Sequence, residues 1–428
     1  MMRFASGRFF VQTRDMSEVS SVPEKSEPLP PLAFAPGHAA AGHLAGPYNE
    51  TELVAFATAL RERLTAGPPT LGLLFLAGPF HQQAAEVLEL VRLHARVPLL
   101  AGCSSHALVA NGREIEGEAG LALALYHLPG AELHGFHFHA RDIEDGDSPG
   151  HWVRQSGVTP EHVHGWLVFA DPFHMRSDQW LRGWNAAYGP RPILGGLATG
   201  SDGEHASQLY LNGDVFDEGG VAVAVGGAVG LAGLVAQGCE PVGETWTITR
   251  AEGNVIHEIG RRPAYEVLQE TFANLPEAVR ARAQGNIFVG LAVNEYREDF
   301  HRGDFLIRNL IGGDARSGAL AVAAFPRAGQ TLQFQLRDAT AASTDLAEHL
   351  TQTRADLAGR EIYGGCLCVC NGRGSHLFGQ PDHDAGLVAR ALGPLEFAGF
   401  FCNGELGPVG SGNFIHGYSA MLALFMRA

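Results

Sequence analysis

The sequence predicts an α/β fold, with α+β as the variant, made of two pseudo-repeated domains of strand–helix–strand units with additional antiparallel strands. Three observations predict it. Short apolar runs alternate with amphipathic stretches along most of the chain, as where strands are joined by covering helices. One order of elements returns along the sequence, which points to internal duplication. The 428 residues exceed one ordinary core, and 55 glycines favour many tight turns over long helices.

The N-terminal residues come first. Three arginines and no acid precede Asp15, a composition shared with organelle transit peptides, but no sustained apolar core of a secretory signal follows. Met16 is an alternative start. The stretch S-S-V-P-E-K-S-E-P-L-P-P-L is rich in Pro and Ser, so residues 1–46 are expected to be a disordered tail, dispensable for folding.

T-E-L-V-A-F-A-T-A-L-R-E-R-L then reads as a helix, and L-G-L-L-F-L-A as a short buried strand. Ala84, Val87, Leu88 and Val91 fall on one helical face. V-P-L-L-A-G-C-S-S makes a second strand, and the turn N-G-R-E-I-E-G leads into the alternating strand G-L-A-L-A-L-Y. The order returns from Gly165 with W-L-V-F-A-D-P, a helix bearing Trp180, Trp184 and Tyr188, P-I-L-G-G-L-A-T-G and G-V-A-V-A-V. It returns again with G-C-L-C-V-C-N-G-R-G, a helix around Leu387, Val388 and Ala391, F-A-G-F-F-C-N-G-E-L and Y-S-A-M-L-A-L-F. A degenerate fourth copy is expected from N-I-F-V-G-L-A-V through F-L-I-R-N-L-I-G-G-D to G-A-L-A-V-A-A-F. A polar stretch near Gly253 sets the domain boundary, giving domains 47–253 and 254–428 that are expected to pack separately across an interface of strand-end loops.

Charge narrows the function. Thirty Lys plus Arg against 46 Asp plus Glu leave a net charge of −16, which repels nucleic acid and anionic membranes. The apolar run Gly219 to Gly238 is long enough to cross a bilayer, yet its glycines and its V-A-V-A-V alternation suit a buried strand better. Six cysteines show no disulfide framework, so a reducing, cytoplasmic compartment is expected.

Ligands of such folds collect where the chain leaves strand ends. Those places include Gly102 to Ser105, with Cys103 and Ser104; Gly195 to Thr199; Asn309 to Asp314; and Cys402 to Glu405. Arg308 and Arg337 follow apolar strands, and their guanidinium forks suit a ligand carboxylate; the alternative for Arg337 is an ion pair with neighbouring Asp338. The segment C-N-G-E-L-G-P-V-G-S-G-N-F-I-H-G-Y is the strongest local signal. Its glycines let backbone N–H groups approach a ligand, and Asn403, Glu405, Asn413 and His416 add directional hydrogen bonds. Tight turns that satisfy only themselves are the competing reading.

Cys366, Cys368 and Cys370 share one face of a strand, where same-face neighbours lie nearly 7 Å apart, too far for thiolates around one zinc. They read as packing, and neither metal nor cofactor is expected.

A-G-C-S-S, I-L-G-G-L-A-T-G, Q-G-C-E-P-V-G-E-T-W-T-I-T-R-A-E-G-N-V-I-H-E-I, G-D-F-L-I-R-N-L-I-G, L-Q-F-Q-L-R-D-A and F-F-C-N-G-E-L-G-P-V-G-S-G-N-F-I-H-G-Y-S-A resemble the FIST family, named for F-box and intracellular signal transduction proteins. They run in the family's order across roughly residues 50 to 428. The resemblance implies a FIST N-terminal and a FIST C-terminal domain serving as a sensory input for small ligands such as amino acids, with no catalytic residues. No F-box, kinase or cyclase segment accompanies them, so a stand-alone sensor with a separate downstream signalling partner is expected. Two rivals stand beside it. One is a hydrolase using Cys103 or Cys402 with His416 as base; the other is an interaction scaffold, marked by a large exposed apolar patch.

Overall fold

The structure is a computed structural model that describes residues 32–144, 146, 148–200, 206–297, 299–300 and 302–428. Three units repeat one order: strand, helix, parallel strand, hairpin, closing strand. In unit one these are Leu71–Ala77, Ala84–Ala95, Leu100–Ser105, the 107–116 hairpin and Gly120–Tyr126. Unit two has Gly165–Ala170, Ser177–Tyr188, Ile193–Leu197, the 209–216 hairpin and Gly220–Gly227. Unit three has Glu361–Cys370, His383–Leu392, Phe397–Cys402, the 405–416 hairpin and Ser419–Arg427. In each, the first two strands pair in parallel and the closing strand pairs antiparallel with the first. A leading strand, Ala39–Ala45, Ala131–Phe138 or Val229–Gln237, adds to the outside of the closing strand.

The hairpins do not stay at home. The 107–116 hairpin pairs with Phe397–Cys402 of unit three, the 405–416 hairpin with Ile193–Leu197 of unit two, and the 209–216 hairpin with Leu100–Ser105 of unit one. Each unit therefore donates one hairpin and receives another in a closed cycle. The expectation of separately packed halves is overturned by this exchange.

Alternation along the strands explains the layering. Leu73, Phe75, Cys103 and Ala124 of unit one enter a central core with Phe169, Val223, Cys368 and Phe400, whereas Leu74, Leu76, Leu121 and Leu123 pack under helices Glu50–Arg63 and Ala84–Ala95. Phe75, Phe169 and Phe400 meet in that central core, with ring centroids 4.8–5.7 Å apart. Trp152, Trp180 and Trp184 fill the outer layer of unit two.

Unit three carries an insertion between its leading strand and helix Ala339–Asp356. Residues 239–337 supply all eight strands of an antiparallel sheet with its own core of Val267, Leu320, Phe334 and their neighbours. The degenerate fourth copy falls here and is a misreading. Ile287–Ala292 and Phe305–Arg308 pair antiparallel with no helix among the described residues between them, because apolar alternation alone does not distinguish a direct return from a crossover.

The tail also needs correction. Residues 1–31 lie outside the described residues, but Ala33–Phe34 pairs with Glu361–Cys370, and Ala39–Ala45 pairs along the full length of Gly120–Tyr126. A-A-A-G-H-L-A looks like linker because small side chains carry little hydropathy; Ala40 and Ala41 are nevertheless buried, and Gly42 leaves room for the Phe56 ring. The run Gly219 to Gly238 forms two strands in two sheets. Among the described residues no helix is long and apolar enough to cross a membrane.

Candidate functional site

The three parallel pairs converge at their C-terminal ends. Each second strand carries a glycine opposite its partner: Gly102 faces Leu74, Gly195 faces Val168, and Gly399 faces Leu367. A side chain at any of the three would run into the partner's carbonyl oxygen, so glycine is what lets the backbones approach. Beyond the glycines the units are cross-linked. Ser104 Oγ donates to Thr199 O at 2.7 Å, Ser105 Oγ to Phe401 O at 2.8 Å, and Asn403 N to Leu197 O at 2.9 Å.

This junction is packed shut. Cys103 is fully buried in the central core, and Ser104 is buried while accepting from Gln208 N at 2.8 Å to anchor the 209–216 hairpin. Neither lines the cleft described below: at the centre of three sheets these strand ends are buried in packing. Glu405 is buried as well. Cys402 Sγ donates to its Oε1 at 2.8 Å, Ser419 N to its Oε2 at 3.2 Å, and the Ser419 hydroxyl also to Oε2. Burial pushes this carboxyl up to about 7 against those bonds. It buttresses the loop from below.

Alongside the junction opens a cleft of about 1220 Å³ between the inserted sheet, helix Ser177–Tyr188 of unit two, and the strand ends and 405–416 hairpin of unit three. Seven of the ten nominated residues line it: Arg308, Asn309, Arg337, Cys402, Asn403, Asn413 and His416. Their polar atoms are not equally available. Asn413 is spent, since Oδ1 accepts from Ile193 N at 2.8 Å while Nδ2 donates to Asn185 Oδ1 at 2.9 Å and Arg191 O at 3.0 Å. His416 Nε2 lies 3.1 Å from Gly407 O, which can only accept, so Nε2 carries the proton. Burial, with the nearby Arg308 charge, lowers His416 to about 4 despite that bond, leaving the ring neutral near pH 7. Its Nδ1 has no partner among the described residues.

The arginines differ from the rest. Arg308 Nη1 donates only to carbonyls, Ile307 O at 2.9 Å and Ile415 O at 3.1 Å. Burial lowers its pKa while Asp178 opposes that, but a guanidinium stays charged at neutral pH. Arg337 does not pair with Asp338. That carboxylate binds Arg282 and caps helix Ala339–Asp356 through Ala341 N at 2.9 Å. Arg337 instead donates from Nη2 to Asn286 Oδ1 at 3.0 Å and lies 5.5 Å from the Tyr418 ring centroid.

Tyr418, Asn371, Arg176 and Arg182 also line the cleft, and sequence reasoning missed them. One signal was present for Asn371: the tripeptide C-N-G occurs at Cys370 and again at Cys402. The two asparagines meet, Asn371 Nδ2 donating to Asn403 Oδ1 at 2.8 Å. Asn403 in turn donates to Ala198 O at 3.2 Å. Arg176 and Arg182 arrive from helix Ser177–Tyr188 and its first flanking residue, on unit two, and nothing local in sequence links them to residues 308 or 337.

The geometry gives the hydrolase reading no support. Burial drives both Cys103 and Cys402 well above an ordinary thiol, the opposite of an activated nucleophile. Cys402 donates to Glu405 and to Val369 O, and neither thiol is hydrogen-bonded to a histidine among the described residues. His416 has its protonated nitrogen committed to Gly407. Cys366 and Cys368 face the central core, and Cys370 accepts from Tyr418 N at 3.3 Å.

Comparisons with known proteins place these features. The model of the FIST N domain matches residues 70–262, and that of the FIST C domain matches residues 264–408. An uncharacterized protein of Mycobacterium tuberculosis is 34% identical over 366 residues, covering 86% of this chain and 94% of the relative. An uncharacterized protein of Mycobacterium bovis is 33% identical, covering 86% and 93%. Among solved structures, a cyanuric acid hydrolase aligns over 91% of this chain and 100% of its own at 9% identity, with a TM-score of 0.31.

Proposed function

This chain belongs to the FIST family, whose domains are generally sensory modules of signal transduction, and on that premise we propose that it senses a small polar molecule bearing a carboxylate, of the amino-acid class, in the cleft beside the strand junction. One observation carries the proposal. Arg308 is half-buried with its bonded N–H groups on carbonyls alone, and no carboxylate lies within salt-bridge distance of it among the described residues. A charge withdrawn from water without a counter-ion costs stability. A bound carboxylate supplies that counter-ion through a bidentate fork.

The cleft's walls belong to different parts of the molecule, the inserted sheet on one side and units two and three on the other. A ligand touching both walls favours the arrangement in which they are close, and that difference in affinity is what a downstream signalling partner would read. The test is a thermal-shift and calorimetric screen of amino acids and small carboxylates. At a hundred times Kd a bound ligand stabilises the native state by about 2.7 kcal/mol. Arg308→Met is expected to abolish the response while leaving ligand-free stability within about 1 kcal/mol of wild type. An undiminished response in that variant overturns the assignment of Arg308.

A further inference from the structure

Building on the carboxylate reading above, we propose that the ligand is a small dianion whose two acidic groups are set apart, one held by Arg308 and the other by Arg337, with Tyr418 between them. Four arginines line the cleft, Arg176, Arg182, Arg308 and Arg337, against one acid, Asp178. None of the four has a carboxylate within salt-bridge distance among the described residues. In a chain of net charge −16, such a surplus of positive charge is local and unmatched. An amino acid with a single carboxylate leaves one end of this field unmatched, and its ammonium has only the exposed Asp178 to receive it. A dianion neutralises the field at both ends.

Tyr418 sets the spacing. Its hydroxyl donates to Asn309 Oδ1 at 2.6 Å, immediately after Arg308 in the chain, while its ring carries the Arg337 guanidinium and packs on Phe288 at 4.3 Å between centroids. Its backbone sits at φ 61°, a left-handed conformation unusual for a bulky residue, so surrounding contacts hold the ring in place. Arg308 is tied to Ile415 O, three residues before Tyr418, and three extended residues span at most about 10 Å. The two poles therefore suit the ends of one short molecule. Each also retains guanidinium donors beyond the bonds already made, Arg308 having engaged Nη1 and Arg337 Nη2.

The test is isothermal titration calorimetry on the full chain with succinate, glutarate and adipate, each against the monocarboxylate of equal length, and with inorganic phosphate as a single-centre anion. At least one dicarboxylate is expected to bind ten-fold or more tightly than its monocarboxylate counterpart and more tightly than phosphate. Arg337→Met should erase that ratio while monocarboxylate binding persists; Arg308→Met should abolish both. Arg337→Lys keeps the charge without the fork, should retain part of the ratio, and serves as the test if the methionine variant fails to fold. Equal binding of mono- and dicarboxylates, or a ratio unchanged by both Arg337 variants, overturns the second pole and leaves the single-carboxylate reading standing. Failure of every carboxylate to bind the wild type overturns both.

Discussion

Two buried titratable side chains in neighbouring positions respond to pH in opposite directions. Glu405 is raised to about 7 from an ordinary 4.5, burial outweighing the bonds from Cys402 and Ser419. Its folded pKa lies above its unfolded one, so its favourable contribution is complete below about 4.5 and is lost as pH rises through about 7. His416 is lowered to about 4 from 6.5, so its contribution is complete above about 6.5 and is lost as pH falls through about 4. Glu405→Gln keeps the shape: its oxygen can accept from Ser419 and its amide can donate to Cys402. Relative to wild type this variant is expected to gain on the order of 3 kcal/mol on going from pH about 4.5 to about 8. Urea denaturation of both proteins at the two pH values measures it, and a pH-independent difference would show that folding leaves the Glu405 carboxyl unshifted. Glu114, also raised to about 7, is common to both proteins and drops out of the comparison.

Side chains pin each exchanged element to its host. Glu114 of the 107–116 hairpin accepts from Asp384 N and Ala385 N, both at 2.9 Å, at the N-terminus of helix His383–Leu392. Asn413 ties the 405–416 hairpin to Ile193 and Asn185. The leading strand Ala39–Ala45 is pinned too, Ala41 N donating to Glu396 Oε2 at 2.8 Å and Ala41 O accepting from Asn111 Nδ2 and Arg63 Nη1, both at 2.9 Å, and it shields the whole length of Gly120–Tyr126. A protein starting at Pro47 is therefore expected to lose more than about 3 kcal/mol relative to one starting at Leu32, through an uncovered strand and lost backbone bonds. Guanidinium melts of the two forms decide it. Equal midpoints would return residues 32–46 to the status of a tail.

Strand exchange makes folding a property of the whole molecule. Unit three is incomplete without residues 107–116, and unit two without residues 405–416; Cys239–Glu252 of the inserted sheet pairs with Thr331–Arg337 across the boundary expected at residue 253. Fragments 32–253 and 254–428 are expected to lack cooperative melts when purified singly and to recover one when refolded together. A sharp calorimetric transition in either fragment alone would show that the exchange is peripheral to stability. The same interleaving brings Arg182 and Arg337 to one cleft, although they lie on opposite sides of the midpoint.

Local patterning was enough to establish the α/β class, the strand–helix–strand order and its recurrence from Gly165 and near Cys366, because alternation and helical spacing are set by near neighbours. It also nominated Arg308, Asn309, Arg337 and the 402–416 loop, since guanidinium groups and glycine-rich turns carry their chemistry in their residue type. Tertiary structure alone decided which sheet receives each hairpin, because a strand edge accepts backbone bonds from any partner of suitable register. It decided that Cys103, Ser104 and Glu405 are packing and that Asn413 is spent, because burial and hydrogen-bond partners come from residues far away in the chain. It decided that Asp338 goes to Arg282 and leaves Arg337 to the cleft, since the competition for one carboxylate is settled by distances that sequence does not contain.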